Sequence, residues 1–184
     1  MKRTGILGIL IWLFTADINA QSNNKVSFQS INQAGLLEGS IGSAFQLQTI
    51  NGFRYKTYAL GIGVGLDYYF ERAVPVFLDL RKDLFSKPGT PFIYGEGGIP
   101  YIWSKNANDG TEPEYSNQRL YEGGIGYHFP MGKQVQFILS AGYSYRSYTK
   151  YSYSPYWIYG YPTENKQRYD YELRRISLKM GISF

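Results

Sequence analysis

Between residues 54 and 67 the chain alternates with a period of two. Tyr58, Leu60, Ile62, Val64 and Leu66 fall on one face, and Ala59, Gly61, Gly63 and Gly65 on the other. Such alternation marks a β-strand with two unlike faces. It recurs at 73 to 84, where Val74, Val76, Leu78 and Leu80 oppose Asp79, Arg81 and Asp83, with Pro75 expected near a strand end. At 92 to 103, Ile93, Ile99, Tyr101 and Trp103 oppose Tyr94, Glu96 and Gly98. At 119 to 129, Tyr121, Ile125, Tyr127 and Phe129 oppose Glu122, Gly124, Gly126 and His128. The segment 134 to 148 sets Val135, Phe137, Leu139, Ala141, Tyr143 and Tyr145 against Gln136, Ser140, Gly142, Ser144 and Arg146. The segment 170 to 184 sets Ile176, Leu178, Met180, Ile182 and Phe184 against Arg175, Ser177, Lys179, Gly181 and Ser183. An earlier strand at 36 to 48 carries Leu37, Ile41, Phe45 and Leu47 on its apolar face and closes on the turn signal Asn51-Gly52.

Seven strands do not close a single-chain barrel of the usual even type, so an eighth is expected at 25 to 33 around Val26 and Phe28, where alternation is poor. Connections are short at 50 to 53, 85 to 90 and 130 to 133, and longer at 104 to 118 and 149 to 168. The connection at 68 to 72 is short on the side of the long ones.

Lys2 and Arg3 ahead of the apolar run Ile6 to Phe14 read as a secretory leader, expected to span 1–20 with cleavage after Ala20 or, alternatively, Ala16. The run is shorter than the ~20 apolar residues of a spanning helix. Residues 21–184 then form one domain. Its 18% aromatic content, 21 glycines and 19 tyrosines suit a sheet at a hydrocarbon–water boundary. The absence of cysteine excludes disulfides, thiolate metal sites and lipid attachment at a cysteine. A formal charge of +5 without long basic runs gives no nucleic-acid signal. A soluble barrel turns its apolar face inward and a Lys- and Glu-rich face to water. Here the second face holds glycines, serines and few charges, which suits a narrow polar lumen and predicts an all-β, eight-stranded antiparallel transmembrane β-barrel with short periplasmic turns and longer extracellular loops.

Gly61-Ile62-Gly63-Val64-Gly65-Leu66-Asp67-Tyr68-Tyr69, the Pro75 to Arg81 strand, Pro91-Phe92, Gly142-Tyr143 and the closing Ile176 to Phe184 carry a further reading. In these features the chain resembles the small outer-membrane barrels of the OmpA and OmpX type, as found in Bacteroidota. The resemblance implies residence in the outer membrane, contact with its lipids and lipopolysaccharide, and a terminal signal at Gly181, Ile182 and Phe184 read by the barrel assembly machinery. It departs from the family at Lys179, where the usual signal has glycine.

Gly61-x-Gly63-x-Gly65 lies inside a strand, so it is read as structural and not as a nucleotide loop. His128 with Ser140 and a carboxylate would suit a lipid hydrolase, but the histidine falls on the lumen parity beside a short turn. Asp79 and Glu96 are expected to face each other across a symmetric 85–90 turn. Asp79, Arg81, Glu96, Glu122, Arg146, Arg175 and Lys179 share the lumen parity and are expected to form an ion network. Within 149 to 168, Tyr153, Tyr156, Trp157, Tyr159 and Tyr161 are candidates for surface contact or for an aromatic girdle. The expectation is a non-enzymatic barrel with a plugged polar lumen, without cofactor or metal, serving envelope integrity or surface contact. An outer-membrane lipid-modifying enzyme and a small passive pore are the alternatives.

Overall fold

The computed structural model describes residues 26–40, 42–69, 71–102, 114–132, 134–158 and 161–184, with 153–158 and 161–165 described by backbone alone. The leader expected at 1–20, Ile41, Trp103 and Tyr159 lie outside these residues. Eight strands follow in chain order: β1 Ser27–Glu38, β2 Ala44–Tyr55, β3 Tyr58–Asp67, β4 Ala73–Asp83, β5 Thr90–Ile102, β6 Glu114–Pro130, β7 Gln136–Ile158 and β8 Tyr161–Ser183. Each pairs antiparallel with its sequence neighbour, and β1 pairs with β8 to close the barrel. Ser30 and Phe184 exchange both backbone hydrogen bonds at the seam.

The alternation maps onto the wall as the sequence requires. Leu60, Ile62, Leu78, Leu80, Ile125, Ile176, Leu178 and Met180 point outward and are exposed, while Asp79, Arg81, Glu96, His128 and Lys179 point inward and are buried. An apolar exterior over a charged interior is stable only when hydrocarbon surrounds the wall, and closure leaves no unpaired strand edge within it. Exposed aromatics fringe both ends of this band, with Phe53, Tyr58 and Phe129 near the short turns and Tyr68, Tyr101 and Tyr143 at the other end.

The strand boundaries differ from expectation at the start of the chain. Asn51-Gly52 is no turn, because alternation carries on through Phe53 and Tyr55, and Asn51 and Gly52 pair with Ile62 and Gly61. The chain reverses instead at Lys56-Thr57, where Lys56 takes a φ of 54°. Strand β1 accordingly runs on to Glu38, and the first loop is 39–43. Leu37 is therefore fully buried in the lumen, not on the lipid face, while Leu36 takes the outward place. At the other end β6 begins at Glu114, and β7 and β8 continue as a two-stranded ribbon through most of the connection expected at 149 to 168.

The bare inner faces have a spatial reason. Phe77 lies against Gly63, Phe92 against Gly126, and Tyr94 across Gly124 and Gly142, so that a Cβ at any of these glycines would overlap a ring. An eight-stranded barrel is only wide enough for side chains to fill it, so each large inward ring needs a facing position without one. Gly126→Val is expected to lower unfolding stability by ~1–3 kcal/mol through overpacking against Phe92. Urea titration in detergent, scored by the mobility difference between unboiled and boiled protein, measures it. Unchanged stability would sink this account of the glycines.

Candidate functional site: the lumen

The central tier is built from neighbouring strands in register. Asp79, Glu96 and Glu122 stand side by side across β4, β5 and β6. Three adjacent carboxylates in a dry interior would be prohibitive without cations. Lys179 of β8 reaches across the lumen and places Nζ 2.6 Å from Glu96 Oε1 and 2.7 Å from Glu122 Oε1. Glu122 Oε1 also accepts from the Tyr94 hydroxyl at 3.0 Å and the Ser177 hydroxyl at 2.7 Å. Arg81 Nε donates to both oxygens of Asp79, at 2.9 and 3.1 Å. Two glutamines join the halves. Gln33 accepts from Arg81 at 3.4 Å and donates to Gln48 Oε1 at 2.6 Å, and Gln48 Oε1 also accepts from Lys179 at 3.4 Å. Gly35 stands opposite Lys179 on β1, and a Cβ there would come within 2.7 Å of the lysine Cγ.

Of the seven expected network residues, the structure thus brings together Asp79, Arg81, Glu96, Glu122 and Lys179. Arg146 and Arg175 do not reach these carboxylates. Arg146 pairs with Asp67, while Arg175 donates to the Gly42 carbonyl at 2.6 Å. Both guanidinium groups flank the ring of Tyr69, at 4.4 and 4.5 Å from its centroid. Tyr69 belongs to the short 68–72 connection, and its ring turns into the barrel mouth. Its hydroxyl donates to the carbonyls of Ser144 at 3.2 Å and Leu173 at 3.4 Å. Leu37, Ala44, Tyr148 and Leu173 pack around it, and the ring is 3% exposed.

A third tier lies toward the short turns. Arg54 pairs with Asp83, and His128 Nε2 lies 3.2 Å from Asp83 Oδ1, off hydrogen-bonding alignment. The imidazole is fully buried and rests on Phe92 at 4.4 Å. Between this tier and the centre, Ile31, Ile50, Phe92 and Ile138 pack together as an apolar layer that Phe77 joins from the far side of Asp79, so the lumen is not polar throughout as its sequence suggested. Among the described residues, Asp67, Asp79, Asp83, Glu96 and Glu122 face Arg54, Arg81, Arg146, Arg175 and Lys179, five charges against five. Asp67, Asp83 and Tyr69 had escaped the site reading. Asp67 and Asp83 carry the inward parity of β3 and β4, which was signal enough, but Tyr69 sits in a loop where parity says nothing.

The expected carboxylate pair is in register, but Asp79 is bound to Arg81 and Glu96 to Lys179. Gly181 faces inward against the Asn32 carbonyl, while Ile182 and Phe184 are exposed on the wall. The side chains of Tyr153, Tyr156, Trp157 and Tyr161 lie outside the described residues. Below them, beyond the spanning wall, Thr149 donates to Asp170 at 2.7 Å and Arg168 donates at 3.1 Å. The Thr149 hydrogen bond first, then Arg168, holds the Asp170 carboxyl below its ordinary value.

An eight-stranded barrel with an apolar exterior, aromatic fringes and a closed, charge-balanced lumen defines an integral outer-membrane β-barrel protein. The comparisons agree on the fold. The chain is similar to Neisserial surface protein A, at 14% identity and a TM-score of 0.54, over 86% of this chain and 97% of that one. It is similar also to the outer-membrane protein AlkL as solved in DMPC bilayers, at 12% identity and a TM-score of 0.56, over 91% of this chain and 93% of that one. No family model matches the chain, and no curated protein does.

Lys179→Met leaves two buried carboxylates without their cation and is expected to lower unfolding stability by ~3–5 kcal/mol in a dry site. Adding Glu96→Gln and Glu122→Gln should restore part of that loss, because the orphaned charges are then gone. Losses that simply add in a urea titration would refute the coupling. At the hairpin base the sign follows from a depressed carboxyl. Asp170's contribution is complete above its ordinary value of 3.8 and is lost as pH falls through the lower folded value. Relative to the intrinsic rate at each pH, the protection of the amides of residues 149 and 170 should therefore fall only below about pH 4. Asp170→Asn should remove that pH dependence.

Proposed function

We propose that this protein is a closed, non-conducting and non-enzymatic barrel of the OmpA and OmpX kind found in Bacteroidota. Its wall contributes to envelope integrity, and its long β7–β8 hairpin makes contacts outside the cell. The observation that carries this reading is the lumen: three charged tiers whose charges balance in sum, an apolar layer between two of them, and Tyr69 filling the mouth. Ions of either sign entering such an interior would have to displace side chains already paired with one another. The non-enzymatic part draws support from the chain's one histidine, which is sealed in the lumen near the short turns, far from the hairpin.

On this reading the wall takes outer-membrane lipids and lipopolysaccharide as its surroundings. The terminal strand ending in Gly181, Ile182 and Phe184 is what the barrel assembly machinery recognises. The hairpin residues Tyr153, Tyr156, Trp157, Tyr159 and Tyr161 supply rigid aromatic contacts with polar tips to a surface ligand. The rival reading is a small passive pore, and one experiment separates them. Planar-bilayer recordings should show negligible conductance for the wild type and for Tyr69→Ala, which opens only the mouth, but open events for Tyr69→Ala combined with Lys179→Ala. Steady wild-type conductance indifferent to these residues would establish the pore instead.

A further inference from the structure

The lipid-facing wall is not uniform. Among the described residues, the outward positions of β3 to β8 inside the aromatic fringes hold aliphatic, aromatic or glycine residues. On β1 and β2 the same band holds Asn32, Thr49 and Asn51, with Ser30 on the same parity but buried at the seam. They form one patch, because Asn32 pairs with Thr49 across the β1–β2 ladder and Asn51 lies two residues from Thr49 on the same face of β2. Asn32 lies four residues inside Phe28, and Thr49 four inside Phe53, and those two rings touch edge to face at the fringe. With a strand rise of ~3.3 Å and a tilt of ~40°, this sets Asn32 and Thr49 about 10 Å into a hydrocarbon band about 25 Å tall. The side chains of Asn32 and Asn51 are exposed on the wall, and neither makes a side-chain hydrogen bond within the barrel.

An unpaired amide in hydrocarbon costs several kcal/mol, of the order of 4–8 on an alkane scale. An acyl chain lying against the patch gives it neither donor nor acceptor, and water is scarce at that depth. We propose that β1 and β2 form a self-association face on which a second copy of this chain docks, Asn32 and Asn51 hydrogen-bonding across a two-fold axis along the membrane normal. The carboxamide is self-complementary, since each group both donates and accepts. An axis along the normal brings Asn32 of one copy to the depth of Asn32 of the other, as an isologous contact requires. Short side chains at Ala34 and Thr49 leave a shallow recess of about 850 Å³ bounded by Leu47, Val64, Met180 and Ile182. Small residues that let backbones approach, with polar groups as glue, are what membrane interfaces use in place of a hydrophobic driving force.

The protein contains no cysteine, so single-thiol variants report proximity without background. Thr49→Cys, beside Asn32 in the patch and outside the proposed hydrogen-bonding pair, should give a disulfide-linked dimer on copper–phenanthroline oxidation in native outer membranes. Ile125→Cys, exposed on β6 at the far side of the barrel, should stay monomeric. Asn32→Leu with Asn51→Leu should keep the mobility difference between unboiled and boiled protein yet associate about tenfold more weakly in lipid nanodiscs or by native mass spectrometry. Equal linking at both sites would overturn the proposal. So would a wild-type protein that stays monomeric at every protein-to-lipid ratio, whether bare or carrying a bound lipid.

Discussion

Eight strands leave a lumen about one layer of side chains wide on each side, and that width governs everything inside it. A ring or a lysine entering from one strand must find a bare position beside it on the next strand. The glycines at 35, 63, 124, 126 and 142 are those positions for Lys179, Phe77, Tyr94 and Phe92. Because Tyr94 can lie flat across Gly124 and Gly142, its hydroxyl reaches Glu122 and helps fix the carboxylate that holds Lys179. Volume thus comes before charge. The ion pairs form where the steric pattern lets long side chains cross.

The width also restricts solvent, which is why charges must match within the protein. Each tier is close to neutral by itself: Asp83 with Arg54, and Asp79, Glu96 and Glu122 with Arg81 and Lys179. Near the mouth, Asp67 pairs with Arg146, while Arg175 lies against Tyr69 and donates to the Gly42 carbonyl. The middle tier carries one carboxylate in excess and the mouth one cation. The tiers sit within one low-dielectric interior, where such an imbalance is felt over longer distances than in water. Buried pairs of this kind are weak evidence for added stability. They account better for a single closed arrangement of the interior than for its strength.

Most of the wall was legible in the sequence because one rule, alternation, fixes both the strand and the face of each residue. The pairing of Asp79 with Glu96 followed from folding a single turn symmetrically. Legibility failed where the rule has no purchase. On β1 and β2 the polar residues at 32, 49 and 51 sit on the lipid face and erase the contrast between faces, so Leu37 was assigned to the wrong side and Asn51-Gly52 to a turn. Local turn chemistry lost there to the register imposed by β3. The partners of Arg146 and Arg175 were equally out of reach, because which tier a side chain joins depends on barrel shear, a property of the closed sheet. The loop residue Tyr69 belongs to no period at all.

The β7–β8 ribbon also has a mechanical side. Among the described residues β6 pairs with β7 as far as Tyr151, after a bulge between Ser116 and Arg119, and Lys166 of the ribbon beyond it reaches back to Glu114 at 3.6 Å. The seven strand residues of β7 past that point make an arm of about 24 Å at ~3.4 Å per residue. At its foot Tyr148 and Tyr171 stack at 5.0 Å, and just beneath them Ser144 and Leu173 offer the carbonyls that hold the Tyr69 hydroxyl. A sideways load on the tip therefore turns about a fulcrum that shares its hydrogen bonds with the stopper of the barrel mouth. The hairpin is a lever, and the residue at its short end is the one that closes the lumen.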